Sequence, residues 1–161
     1  MSSATYNNQR ERFFKAALEN NIPELKVLLE NGYRINRGDG DLYTALHRVC
    51  EHWTDKINNK NGQNKLSSSY NTATFLVSNG ADVNADNPAT DGWTPLHLSC
   101  WAGSIGAVQF LIDNGARVNY PDWYGATPKK IAIYAGHQEI AELITKIENK
   151  RETSKASSSR L

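Results

Sequence analysis

The residues with the clearest capacity for chemistry are two histidine–cysteine pairs, His47/Cys50 and His97/Cys100. On helices, the i, i+3 spacing puts each imidazole and thiol on one face, and two histidines with two cysteines make a common zinc ligand set. Zinc, however, requires all four ligands about 2.0–2.3 Å from one point. A disulfide between the thiols requires Cα atoms within about 7 Å. Three aspartates, Asp39, Asp91 and Asp122, also recur along the chain. There is no phosphate-binding glycine loop, no Gly-x-Ser-x-Gly and no His-Glu-x-x-His. The chain is therefore expected to have no catalytic site, no metal site and no cofactor.

The elements that must position these residues are repeated. Thr44-Ala-Leu-His-Arg-Val-Cys50 returns as Thr94-Pro-Leu-His-Leu-Ser-Cys100 and, more distantly, as Thr127-Pro-Lys-Lys-Ile-Ala-Ile133. A second phrase ends in a glycine at Gly32, Gly80 and Gly115, followed by Tyr-Arg-Ile-Asn36, Ala-Asp-Val-Asn84 and Ala-Arg-Val-Asn119. Thr94 and Thr127 are 33 residues apart; Thr44 and Thr94 are 50 apart, because 15 residues are inserted within the second repeat and two more between Asn84 and Thr94. Threonine suits an N-cap, proline the first helical position, and glycine the left-handed residue after a helix. Each unit is thus a pair of helices too small to bury its own apolar stripe, and stacking neighbours makes one core. The two histidine–cysteine pairs then lie on equivalent helices of neighbouring repeats, with axes about 8–10 Å apart. That separation argues against a shared zinc ion and against a disulfide.

These phrases, most specifically Asp91-Gly-Trp-Thr-Pro-Leu-His97, resemble the ankyrin-repeat family over roughly residues 10–148. The resemblance implies an all-α repeat fold, an ankyrin solenoid of about four helix-turn-helix repeats with β-hairpin fingers. Expected boundaries are a flexible N-terminus at 1–9, repeats near 11–43, 44–93, 94–126 and 127–148, an inserted loop at 54–70, and a flexible tail at 149–161. It also implies that His47 and His97 are structural, that Cys50 and Cys100 take a small core position, and that Asp39, Asp91 and Asp122 tie down the finger turns.

Ankyrin proteins bind through their fingertips and the concave face of their first helices. Carried onto this chain, the tips hold Tyr43, Trp93, Trp123 and Tyr124. The concave positions hold Glu51, His52, Trp101 and Tyr134, and Arg48 with Glu51 supplies a polar rim. Trp53 closes the first helix of the second repeat, so all four tryptophans fall at or beside this surface; Trp53 and Trp93 are the two best placed to pack between fingers. Tryptophan and tyrosine bury large area at low entropic cost, which makes them frequent binding hot spots. Asn84, in Leu76-Val-Ser-Asn-Gly-Ala-Asp-Val-Asn84, resembles ankyrin asparagines that a dioxygenase hydroxylates.

The totals agree with a binding module. About 39% of the 161 residues are hydrophobic, enough for a core, and no apolar run reaches membrane-helix length. Net charge is +1, which gives no reason to expect nucleic acid or anionic membrane as partner. Two free thiols and a polar N-terminus point to the cytosol or nucleus. The terminal Ser159-Arg160-Leu161 resembles both a peroxisomal address and a ligand for PDZ domains. Arg117-Val-Asn-Tyr120 is a poor version of a phosphatase-docking motif. The expected function is non-catalytic protein binding by a monomeric adaptor, scaffold or inhibitor. The alternative is a regulatory or targeting subunit of a signalling enzyme such as a phosphatase or kinase.

Overall fold

A computed structural model of the chain describes residues 3–53 and 68–158. Its helices are α1 (Ser3–Leu18), α2 (Ile22–Glu30), α3 (Ala45–Glu51), α4 (Ser68–Ser78), α5 (Pro95–Ala102), α6 (Ile105–Asp113), α7 (Pro128–Tyr134) and α8 (Gln138–Ser158). They pack as antiparallel pairs, α1/α2, α3/α4, α5/α6 and α7/α8, with α1, α3, α5 and α7 stacked in succession as the inner layer. Among the described residues no helix is long and apolar enough to cross a membrane.

Local signals set the helix starts. Asn21 caps α2 through Glu24 N–H, Thr44 caps α3 through His47 N–H, and Thr127 caps α7 through Lys130 N–H. Each such cap is worth about 1 kcal/mol. The chain leaves α2, α4 and α6 through Gly32, Gly80 and Gly115, all at φ near +90°. Any other residue there is strained, because a Cβ crowds the backbone in the left-handed region.

Leu28, Leu76 and Leu111 stand four residues before those glycines, and Ile144 follows Leu111 by one period; all four are fully buried. They form a column through the outer layer, continuous with Phe13, Leu25, Leu46, Leu96 and Val108. Each fully buried aliphatic side chain contributes about 1.5–3 kcal/mol, and the contribution exists only when the next repeat is in place.

Residues 3–9 belong to α1, and α8 runs to Ser158. Neither stretch contains Gly or Pro, so a helix anchored by Phe13 or Ile144 propagates outward at little cost. Residues 54–67 of the expected insertion, and the Ser159-Arg160-Leu161 motif, lie outside the described residues; Ser68–Tyr70, placed in the loop, are the first residues of α4. The fingers are turns rather than β-hairpins. Among the described residues the only bridge is antiparallel, between Asn87 and Trp93.

Candidate functional site

Each finger is closed by one side chain at its base. Asp39 N–H donates to the Tyr43 carbonyl (2.8 Å), while its Oδ1 accepts from Asp41 N–H (2.9 Å) and Tyr43 N–H (3.1 Å). Asp122 repeats this with the Ala126 carbonyl (2.8 Å) and with Tyr124 N–H (3.0 Å) and Ala126 N–H (2.7 Å). A side-chain acceptor does the work a strand ladder would otherwise do.

In the middle finger the role falls to Asn87, not to Asp91 as the resemblance implied. Asn87 N–H donates to the Trp93 carbonyl (3.0 Å) and its Oδ1 accepts from Ala89 N–H (2.8 Å). The two extra residues lie inside this turn, which is drawn into a short 3-10 segment, Pro88–Thr90. Asp91 is carried to the tip, left-handed at φ 56°, where its carbonyl accepts from Trp123 N–H (2.8 Å). Asn87 is fully buried, and its Nδ2 donates to the Asp41 carbonyl (3.1 Å), joining the first two fingers.

The histidines bind the repeats together. Thr44 N–H donates to His47 Nδ1 (3.2 Å), which leaves Nε2 as the protonated nitrogen facing the Trp93 carbonyl (3.1 Å). His97 repeats this with Thr94 N–H (3.1 Å) and the Ala126 carbonyl (3.2 Å). Both nitrogens of each ring are committed to backbone, so neither is presented as a metal ligand. Burial pushes His47 down to about 4 and lowers His97 as well, opposed only in part by the hydrogen bonds. Burial pushes the Cys50 and Cys100 thiols up to about 12, which keeps them protonated and unreactive.

The inner helices display an aromatic row. Trp93 stacks on His97 (6.2 Å, 21°) and leans on Trp101 (6.0 Å, 56°), and Trp101 stacks on Tyr134 (6.1 Å, 21°). Trp93 is half-buried and its Nε1 donates to Asp122 Oδ2 (3.2 Å), so it braces the row from behind. Trp101 is 48% exposed and Tyr134 82%. At the tip, Trp123 covers Gly92, where a Cβ would meet the indole at 2.6 Å, and Tyr124 projects beside it.

Trp53 leaves this surface. It is 8% exposed and packs outward on Phe110 (5.6 Å) and Tyr70 (6.3 Å), so three tryptophans rather than four border the concave face.

The polar end is a single network. Arg48 donates to Asp39 Oδ2 (2.6 Å), Asp41 Oδ2 (2.9 Å) and Glu51 Oε2 (2.9 Å), and its guanidinium lies 4.2 Å over the Tyr43 ring. Exposed His52 places Nδ1 3.0 Å from the Arg48 carbonyl.

Two further segments stand apart from the face. Asn84 Nδ2 donates to the Gly115 carbonyl (3.3 Å) and its Oδ1 accepts from Arg117 N–H (2.8 Å). Asn36 makes the same pair one repeat earlier, with the Gly80 carbonyl (2.9 Å) and Asp82 N–H (2.7 Å). Val118 is buried, so Arg117-Val-Asn-Tyr120 cannot be presented as a docking peptide. Asn87, Gly92 and the bridging Asn36 carry no local chemical signal in the sequence, except that Asn36 and Asn84 recur at the same distance after Gly32 and Gly80.

Residues 63–154, more than half of the chain, match the family described as ankyrin repeats in three copies. Over 115 residues the chain is 36% identical to Rabankyrin-5 of Mus musculus, covering 65% of this chain and 9% of that protein. Over 111 residues it is 34% identical to the human ARF GTPase-activating protein GIT1, covering 66% of this chain and 14% of that protein. A Rickettsia bellii protein named for its ankyrin repeats is 28% identical over 131 residues, covering 81% of this chain and 64% of that one. The chain therefore spans a minor part of the first two. With a family match over most of its described repeats, and helix pairs, capped threonines and histidine clamps in that register, this chain belongs to the ankyrin-repeat family.

Proposed function

We propose that this protein is a non-catalytic adaptor, scaffold or inhibitor that holds a partner protein against its fingers and concave face. Ankyrin repeats are protein-interaction modules, and the observation that carries the reading here is the Trp93–Trp101–Tyr134 row, which turns large apolar rings to solvent. Exposed contiguous apolar surface of this kind costs solubility and is a signature of interaction sites. In this reading Trp101, Tyr134, Trp123 and Tyr124 are the anchors and Trp93 positions them. Tyr43, Arg48, Glu51 and His52 form the rim. Arg48, already held by three carboxylates, contributes shape more than free charge. The protein acts as a monomer in the cytosol or nucleus.

The test is affinity capture from native lysate with wild type and the Trp101→Ala/Trp123→Ala variant, the latter shown folded by circular dichroism. A partner recovered by wild type and lost by the variant is the expected result. Identical recovery by both sinks the proposal.

The alternative, a targeting subunit of a signalling enzyme, draws on the relative named as an ARF GTPase-activating protein, in which the similar stretch is 14% of a longer chain. Co-purification of an enzyme activity with the captured partner would favour it. Hydroxylation of Asn84 is a separate proposal. Because its carboxamide bridges two repeats, the enzyme would have to open that turn; native protein with no added oxygen at Asn84 by peptide mass would dismiss it.

A further inference from the structure

Charge is unevenly placed on this molecule. The chain as a whole carries +1. On the fingers and the inner helices α3, α5 and α7, however, the carboxylates Asp39, Asp41, Glu51, Asp86, Asp91 and Asp122 outnumber the cations Arg37, Arg48, Lys129 and Lys130, and Lys129 is already paired with Glu148. Lys130 is turned to its own finger, with Nζ 3.2 Å from the Gly125 carbonyl. Asp41 stays 76% exposed while bonding Arg48, and Asp91 rides at the tip of the middle finger. A surplus of negative charge thus borders a row of aromatic rings, whose own faces are negative.

The molecule already contains one example of what such a surface attracts. The Arg48 guanidinium lies over Tyr43 with carboxylates around its edge. Trp101 and Tyr134 offer the same ring chemistry to solvent, and a cation over such a ring is attracted by its quadrupole.

We propose that the concave face binds an extended basic segment of its partner protein. Arginine or lysine side chains lie on Trp101 and Tyr134 and pair with the Asp41 and Asp91 carboxylates. This rests on the concave face being the partner site. Neighbouring inner helices stand about 10 Å apart, and an extended chain advances about 3.3 Å per residue. Anchors serving adjacent repeats therefore fall about three residues apart in the partner. A neutral or acidic segment would strip water from the carboxylates without pairing them, which disfavours it.

The experiment is selection of a displayed library of random linear peptides on the full chain, followed by fluorescence-anisotropy titration of the recovered peptides. The expected peptides are rich in Arg and Lys and bind less tightly as salt rises. Trp101→Ala weakens them about tenfold or more, and Asp41→Asn/Asp91→Asn weakens them about tenfold and flattens the salt dependence. Recovery of neutral or acidic peptides that still need Trp101 overturns the basic-segment proposal and leaves the face as the partner site. Peptides indifferent to Trp101→Ala overturn both. Recovery of no peptide overturns the linear basic segment, while the lysate capture still decides the face. Should the aspartate double variant not fold, a wild-type affinity unaffected by salt is the overturning result.

Discussion

Trp53 and Trp101 both close an inner helix, yet one is buried in the outer layer and the other stands in solvent. Counted from the capping threonines, Trp101 aligns with Glu51, and Trp53 aligns with Gly103, two residues further on. Each of these last two positions faces the same place in the following repeat, held by Ser104 behind Trp53 and by His137 behind Gly103. Ser104 is small, and its Oγ donates to the Trp53 carbonyl (3.5 Å), leaving room for the indole against Phe110. His137 is large and sets Nε2 3.1 Å from the Trp101 carbonyl. Its ring would lie 2.4 Å from any Cβ added at Gly103, which is also left-handed at φ 74°. One seam is filled from the earlier repeat and the next from the later one. The comparison shows that register decides whether a tryptophan is core or recognition surface, and that the partner across the seam decides what size the site accepts.

The largest expected effect separates the two tryptophans by stability. Trp53→Ala should cost about 3–5 kcal/mol through lost burial and a residual cavity, whereas Trp101→Ala should cost under about 1 kcal/mol as an exposed substitution. Urea unfolding of both variants checks this, and equal losses would erase the distinction.

Next comes the seam held by the histidines. His47 is neutral in the folded state down to about pH 4, while in the unfolded chain it takes a proton near pH 6.5. Between those values the unfolded state binds more protons, so stability is full above about 6.5 and falls as the pH drops toward 4. The loss from His47 alone is on the order of 2–3 kcal/mol at pH 4.5, and His97 shifts in the same direction. Denaturant unfolding at pH 7 and 4.5, with His47→Gln flattening the dependence, is the measurement.

A smaller effect sharpens the size argument. Gly103→Ala should cost roughly 2 kcal/mol from left-handed strain and the clash. Adding His137→Ala should leave the double variant less destabilised than the two single losses added together, because the clash is gone and only the strain remains. Strict additivity by thermal unfolding would show that the ring is not the obstacle. The smallest predicted change in stability, that of Trp101→Ala, goes with the largest predicted loss of partner capture.

Much of this was legible from spacing. The threonines at 44, 94 and 127 and the glycines at 32, 80 and 115 recur because every repeat must start and reverse its helices alike, and the same recurrence showed that the histidine–cysteine pairs belong to separate repeats. The aromatic positions Trp101, Trp123, Tyr124 and Tyr134 followed from that register. Asp91 is not the turn residue that the resemblance implies, because a two-residue insertion can sit anywhere between Asn84 and Thr94; only the hydrogen bonds of Asn87 place it.

The sequence by itself determined the repeat, its period, its caps and the stripe that forms the core, because these are local choices made again in each unit. The tertiary structure alone decided that Trp53 turns outward, that Asn87 closes the middle finger and ties it to the first, and that His47 clamps the Trp93 carbonyl. Those outcomes depend on which side chain the neighbouring repeat presents across each seam, and residues 46 to 51 positions apart in the chain carry no local signal of that meeting.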